Sequence, residues 1–276
     1  MSGRAIISVG LLLAMLLAIP RAIAADGPQS VSLDAVAAPG VTYADLVRQI
    51  VPDLAKAQGS YAGSKVLPMR HAASPDYGGA TPERFFLSTI PAVHFETAGT
   101  RYVLLLLDLG RSADFAEGLA PMALFDISGT PRLIDALDVA FDAHTGFAET
   151  GLSPGRDGLV VTTSTHFNSN QAYVIHAVLA LAKGRFELVD TISTFNEQSC
   201  AGVSTQRPAF MPEGPDAFSV TVAIETEPGT DDCEDDKLEA DRREISVTYR
   251  RATPGGTYVA GSDALERLAK ENEGRF

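Results

Sequence analysis

Strand-like patterning begins at Arg84 and continues almost unbroken to Tyr258. Side chains on an extended chain point to opposite faces in turn, so apolar positions at a period of two predict half-buried β-strands. Phe85-Phe86-Leu87 and Ala92–Phe95 come first, followed by a turn at Ala98-Gly99 and the run Tyr102–Leu107. That run is apolar on both faces, which predicts a central strand covered on two sides. Met122–Ile127 and Arg132–Val139 flank a Ser128-Gly129 turn and predict a hairpin. The stretch Leu159–Cys200 then reads as three consecutive strands with two polar turns.

A repeat is visible inside this pattern. Leu124, Gly129, Leu133, Ile134, Asp135 and Leu137 are matched by Leu179, Gly184, Leu188, Val189, Asp190 and Ile192, all at the 55-residue shift that carries position 124 to 179. The same shift places Leu104–Leu106 on Leu159–Val161 without a gap. Each unit is a strand, a loop, a strand, a glycine turn and a strand carrying an L-[IV]-D step, which reads as duplication. Phe218–Ile224, Ile245–Arg250 and Thr257–Val259 form a degenerate third unit, interrupted by the polar insertion Glu225–Arg243. Tight turns join only antiparallel neighbours. The expected fold is therefore mainly β: antiparallel meanders of a duplicated unit of about 55 residues, in a sandwich or propeller-like arrangement.

Helices are expected only at the two ends. Thr42 and Asp45 make a capping box ahead of Leu46, Ile50 and Leu54 on one face, with Pro52 as a kink and Gly59 as a stop. Ser60–Glu83 is rich in Gly, Ser and Pro and reads as a surface loop. Ser262 caps a terminal helix carrying Leu265 and Leu268, whose polar end Asn272-Glu273-Gly274 should fray.

The first residues carry a targeting pattern. Arg4 precedes the apolar run Ala5–Ile19, Pro20 ends it, and Ala22-Ile23-Ala24 supplies small residues for cleavage before Ala25. Residues 1–24 are thus expected to be a signal peptide and the mature protein to be periplasmic or secreted. An apolar run of about 15 residues is short for a spanning helix, so no integral membrane segment is expected after cleavage. Residues 25–40 read as a flexible start, and 41–276 as one domain holding units at about 100–154, 155–209 and 210–261. The formal charge of −13 makes nucleic acid an improbable partner. A small molecule or another protein is the expected partner. Cys200 and Cys233 in an exported chain predict a disulfide.

Candidate chemistry is sparse, and no cofactor or metal is expected. His166, Asn168, Asn170 and Gln171 gather neutral donors and acceptors at one turn and are the candidate binding residues, although Asn and Ser also favour turns for backbone reasons. Asp135, Asp138, Asp142 and His144 form a second polar group, in which the recurrence of Asp135 as Asp190 favours a structural role. The run Asp231–Asp236 lacks the spacing that turns carboxylates around one Ca²⁺. His71, His94 and His176 show no zinc spacing. Gly151-Leu152-Ser153-Pro154-Gly155 matches G-x-S-x-G, but Pro154 has no N–H to lend to an oxyanion hole. The residues therefore favour a non-enzymatic binding or scaffold protein. The alternative is a hydrolase with a non-motif active site near His166, drawing on Asn168, Asp190 and Ser153.

Overall fold

A computed structural model describes residues 27–74, 81–112, 118–229, 238–253 and 255–275. Among them the chain is mainly β with a short helix towards each end. In chain order, β1 (Gln29–Ser32), β2 (Val36–Ala38) and β3 (Val41–Thr42) lead into α1 (Tyr43–Val47). Four short strands follow: β4 (Ala55–Ala57), β5 (Ser60–Gly63), β6 (Arg70–His71) and β7 (Phe85–Leu87). Next come β8 (Thr89–Thr97), β9 (Thr100–Leu106), β10 (Pro121–Asp126) and β11 (Arg132–Asp138). They build a six-stranded sheet in the order β1-β8-β9-β10-β11-β6, antiparallel except where β6 runs beside β11.

The rest of the chain is one meander. β12 (His144–Phe147), β13 (Leu159–Phe167), β14 (Gln171–Ala182), β15 (Arg185–Ser199), β16 (Gly202–Gly214), β17 (Ala217–Pro228), β18 (Asp241–Arg251) and β19 (Tyr258–Ala260) pair in sequence order, each antiparallel to the next. α2 (Ala264–Glu273) follows. Two-residue turns make the tightest reversals in both sheets. Ala98 and Gly99 both have positive φ (49° and 75°), as do Lys183 and Gly184 (53° and 77°), the signature of type I′ turns whose twist matches the flanking strands.

Burial explains the layering. In β9 and just beyond it, Val103, Leu105 and Leu107 face α1 and the three-stranded sheet β4-β5-β7, where Leu46, Ile50, Tyr61 and Phe85 are buried. Leu104 and Leu106 face the other way, onto Val160, Ala177, Leu179 and Phe186 of the eight-stranded sheet. The expected two-faced central strand is therefore present, and each fully buried Leu stabilises the fold by about 1.5–3 kcal/mol. On the far side of β13–β15, Leu159, Val161, Val178 and Ile192 pack against Phe218, Val220, Val222 and Val247 of β17 and β18. The eight-stranded sheet thus folds over on itself, and Leu265 and Leu268 of α2 complete the core between its halves.

The fold-over is located at one seam. β15 and β16 pair at only three positions, Glu197 with Ser204, Gln198 with Val203 and Ser199 with Gly202. Beyond them the strands part, and side chains replace the backbone ladder. The Gln206 N–H donates to Asn196 Oδ1 at 2.9 Å, and the Phe195 N–H donates to Gln206 Oε1 at 3.1 Å. Asn272 of α2 then pairs reciprocally with Gln206, donating to Oε1 at 2.9 Å and accepting from Nε2 at 2.7 Å. It also reaches the Ser193 carbonyl at 3.3 Å. Both side chains are about 97% buried, where an unmatched amide would be costly.

The repeat has a structural counterpart in its last step. The pairing of β10 with β11 slips between Leu124 and Phe125, leaving Ile134 bulged, and that of β14 with β15 slips between Val178 and Leu179, leaving Val189 bulged. The L-[IV]-D step is thus a β-bulge in both meanders. The aspartate that follows each bulge reaches a later part of the chain. Asp135 accepts from Arg70 (2.7 Å) and from the Phe186 N–H (2.8 Å), while Arg70 donates to the Phe186 carbonyl (2.7 Å). An ion pair therefore satisfies both backbone groups of an otherwise unpaired edge. Asp190 instead accepts from the Tyr249 hydroxyl at 2.6 Å. Register is not shared between the units: Leu104 pairs with Leu124, whereas Leu159 pairs with Ala180. The two meanders share a bulge but not a register, so the expected duplicated unit does not hold residue by residue, and neither a closed barrel nor a propeller ring forms among the described residues.

Several expectations are corrected. The first helix keeps its capping box (Asp45 N–H to Thr42 Oγ1, 3.2 Å; Thr42 N–H to Asp45 Oδ2, 2.9 Å) but ends after Val47. The β-branched pair Ile50-Val51 and Pro52 disfavour its continuation, although Leu46, Ile50 and Leu54 are all buried as the periodicity required. The segment read as a flexible start holds β1, β2 and the fully buried Leu33, and the loop read at Ser60–Glu83 holds β5 and β6. β16 was not expected, and Pro208 and Pro212 lie in it. They are tolerated because β16 is paired to β15 at one end only, so most of that edge needs no ladder. The N-cap of α2 is Asp263, not Ser262, and Asn272 is buried instead of frayed.

The expected Cys200–Cys233 disulfide is not found among the described residues, which include Cys200 but not Cys233. Where the polar insertion leaves and rejoins the sheet, the N–H groups of Gly229 (2.7 Å) and Leu238 (3.0 Å) both donate to the Ala201 carbonyl. The acidic run 231–236, with Cys233, and the targeting segment 1–24 lie outside the described residues.

Gln206→Ala and Asn272→Ala should each lower unfolding free energy by about 1–3 kcal/mol, because each strands a buried amide. Urea denaturation of both single variants and the double variant checks this, and strictly additive losses would show that the two amides are not coupled.

Candidate functional site

Two hairpin tips meet at one end of the eight-stranded sheet. The β13–β14 turn (168–170) and the β15–β16 turn (200–201) are tied by the Gln198 N–H donating to the Asn170 carbonyl at 2.9 Å. Between the tips runs an open groove of about 580 Å³. It is lined by Asn168, Asn170, Gln171, Asn196 and Gln198 and by Ser169, Ser199 and Thr205, with the buried Ser204 beneath. Phe167 (65% exposed) and Val203 (37% exposed) add an apolar rim.

Charge in this groove is internally compensated. Glu197 accepts from Arg275 at 3.0 Å and from Gln171 Nε2 at 3.4 Å. Arg275 also donates to Ser204 Oγ at 3.4 Å and stacks over Phe195, its guanidinium carbon 4.5 Å from the ring centroid. The far end of the chain therefore braces the groove. Tyr173 lies close by, its hydroxyl pushed up to about 12 by burial, with Arg275 opposing and Glu197 adding to the shift.

The structure separates the candidate residues that the sequence grouped. Asn168 builds the turn: its Oδ1 accepts from the Gln171 N–H (2.9 Å) and the Asn170 N–H (3.3 Å), and its Nδ2 donates to Gln171 Oε1 (3.0 Å). The turn chemistry of Asn therefore accounts for much of that side chain. Asn170 and Gln171 line the groove, but His166 does not; its Nδ1 lies 3.1 Å from Asp142 Oδ1. Asn196, Glu197, Gln198, Thr205 and Arg275 escaped the sequence reading. The polar run Asn196–Ser199 at the end of a strand was the available signal, whereas nothing local marks Arg275.

The second polar group has four separate uses. Asp135 caps the β15 edge, as described above. Asp138 is buried and accepts from the N–H groups of Ala120 (2.9 Å) and Ala140 (3.1 Å). Asp142 faces His166, and His144 lies 4.0 Å from Asp108. No group of three or more His, Cys, Asp or Glu able to hold a metal occurs among the described residues.

The residues of the hydrolase alternative do not converge. Asp190 is held by Tyr249 and His166 by Asp142, while Ser153 lines a different cleft of about 200 Å³ near Val93 and Phe147. The Ser153 N–H donates to Asp157 Oδ2 at 2.8 Å, so the G-x-S-x-G segment is a self-bonded turn. Its glycines are required by close packing. A Cβ at Gly151 would lie 3.0 Å from the Phe210 carbonyl oxygen, and one at Gly155 3.0 Å from Phe95 Cβ.

The remaining histidines are structural. His71 accepts from the Ala73 N–H at Nδ1 (3.1 Å) and donates from Nε2 to the Ala140 carbonyl (2.7 Å), which fixes one neutral tautomer. His94 Nε2 lies 2.7 Å from the Tyr43 hydroxyl. His176 is 92% buried between the halves of the folded-over sheet, with Nε2 3.3 Å from Thr194 Oγ1 and the ring 5.7 Å from that of Phe210. Its Nδ1 has no hydrogen-bond partner among the described residues. Burial holds its pKa down at about 4.

No family model matches the chain, and no characterised protein or solved structure matches it either.

The buried histidines set a sign for pH dependence. His176 has a lower pKa folded than unfolded (about 6.5), so the unfolded chain binds the extra proton between the two values. Its contribution is complete above about pH 6.5 and is lost as pH falls towards 4. The melting temperature should fall on acidification from about pH 7 to 4.5, and His176→Gln should remove on the order of 3 kcal/mol of that pH dependence at its fullest. A slope of the same sign should remain, because burial also lowers His71, against the Ala140 hydrogen bond and Asp138. An unaltered pH profile in the variant would remove His176 from this account.

Proposed function

We propose that this chain acts outside the cytoplasm as a non-enzymatic binding protein, with the groove between the 168–170 and 200–201 turns as its ligand site. One observation carries the reading. Two hairpin tips present amide and hydroxyl side chains around a space of ligand size, and the backbone beneath them is fixed by the tip-to-tip hydrogen bond and the Arg275–Glu197 pair. Ligand sites are concave and largely preformed, with a few convergent polar groups beside apolar surface. Phe167 and Val203 supply that surface.

Export is supported by the pattern of residues 1–24: a basic start, an apolar run, and Ala22 and Ala24 at the cleavage positions. A binding role is favoured over hydrolysis because Ser153, His166 and Asp190 are each engaged in a different place.

Two measurements test the proposal. Expression of the full chain in cells with an export system should give a product whose N-terminal residue by mass spectrometry is Ala25; a product retained inside with residues 1–24 intact would count against export. For the groove, a panel of small polar compounds should include at least one that raises the melting temperature of the native protein but not of Gln198→Trp. Gln198 is exposed, and the larger ring fills the groove without entering the core. Equal shifts in both proteins would place binding elsewhere.

A further inference from the structure

Resting on that reading of the groove, we propose that its ligand is an uncharged, hydroxyl-rich chain, namely a neutral oligosaccharide segment. The first argument is charge. On a chain with 35 acidic and 22 basic residues, the groove lining holds a single carboxylate, Glu197, and that group is paired with Arg275 at 3.0 Å. A cation site needs carboxylates not already neutralised, and an anion site needs guanidinium or ammonium groups facing the ligand. The lining residues carry amides and hydroxyls instead; Asn168, Gln171 and Asn196 spend bonds within the protein, and Asn170, Gln198 and Thr205 bring groups that donate and accept at once, as sugar hydroxyls do.

The second argument excludes the obvious neutral competitor, an extended peptide added as a strand. Such a peptide binds through exposed backbone N–H and C=O groups at a sheet edge. Where β15 and β16 part at the groove, two of those N–H groups are already used: Gln206 N–H donates to Asn196 Oδ1, and Phe195 N–H donates to Gln206 Oε1. The seam is closed to strand addition by side-chain amides.

The third argument is the rim. Phe167 stands 65% exposed at the edge of a polar groove, with Val203 exposed on another strand of its lining. An exposed aromatic face next to amides suits a ring with one apolar C–H face and hydroxyls around its edge. A space of about 580 Å³ falls within the usual range for small-ligand sites and admits a few linked rings, not a globular partner.

Isothermal titration of the full processed protein with cellohexaose, maltohexaose, hexa-N-acetylchitohexaose, hexagalacturonate and a capped Ser-Gly hexapeptide tests the proposal. At least one neutral hexasaccharide should bind, with hexagalacturonate and the peptide not binding. Phe167→Ala should weaken that binding about tenfold at unchanged melting temperature, and Gln198→Trp should abolish it. Binding of hexagalacturonate or the peptide that is lost in Gln198→Trp overturns the ligand class while leaving the groove as the site. Failure of all three neutral sugars, with some other compound showing a shift sensitive to Gln198→Trp, does the same. If no compound of any class is sensitive to Gln198→Trp, the groove reading and the sugar proposal both fall.

Discussion

One buried amide pair holds the second half of this fold together. The eight-stranded antiparallel sheet doubles back on itself at one interrupted ladder. Here β15 and β16 give up their pairing after three positions, and Gln206 with Asn272 occupies the resulting gap. Each amide satisfies the other, and each also bonds backbone on β15, through Phe195 N–H and the Ser193 carbonyl respectively. A planar amide can donate and accept in one plane, so it mimics the peptide groups it replaces. The apolar surfaces of β13–β15 and β17–β18 meet across this splice, and α2 is fixed to the sheet by the same contact.

The coarse architecture was legible because it rests on local rules. Alternation predicted the strands, the glycine turns at Ala98-Gly99 and Gly184 predicted reversals, and the doubly apolar Tyr102–Leu107 run predicted a strand with two covered faces. The L-[IV]-D step was read as structural from its recurrence, and each copy is a bulge that aims an aspartate at a later segment. What the sequence concealed depends on long-range partners. Asn272 looked like a fraying helix end because its partner lies 66 positions earlier in the chain. β16 was not expected, and it carries two prolines that its partly unpaired edge accommodates. Helix α1 stops early although Ile50 and Leu54 are buried on schedule, because a buried apolar spacing is satisfied equally by an irregular turn.

The groove was half legible for the same reason. The turn at 168–171 advertised its polarity, but Asn168 spends that polarity on its own backbone and His166 faces elsewhere. The opposing wall, Asn196 to Thr205, belongs to a separate hairpin and joins the first only through strand order. Arg275 gave no local sign at all, since its importance lies in Glu197 and Phe195, which are distant in sequence.

The Ala201 carbonyl, which receives both Gly229 and Leu238, has a consequence for how the chain can change. The main chain leaves the sheet and rejoins it at a single acceptor, so the excursion between those residues starts and finishes at one point in space. Closing a longer loop over the same gap costs little extra entropy, about 0.6 kcal/mol for each doubling of length. The two strands therefore keep their spacing at that point when the length of the interval changes. This is a natural place for the protein to gain or lose residues over time, and for an inserted reporter to ride without disturbing the groove or the amide splice.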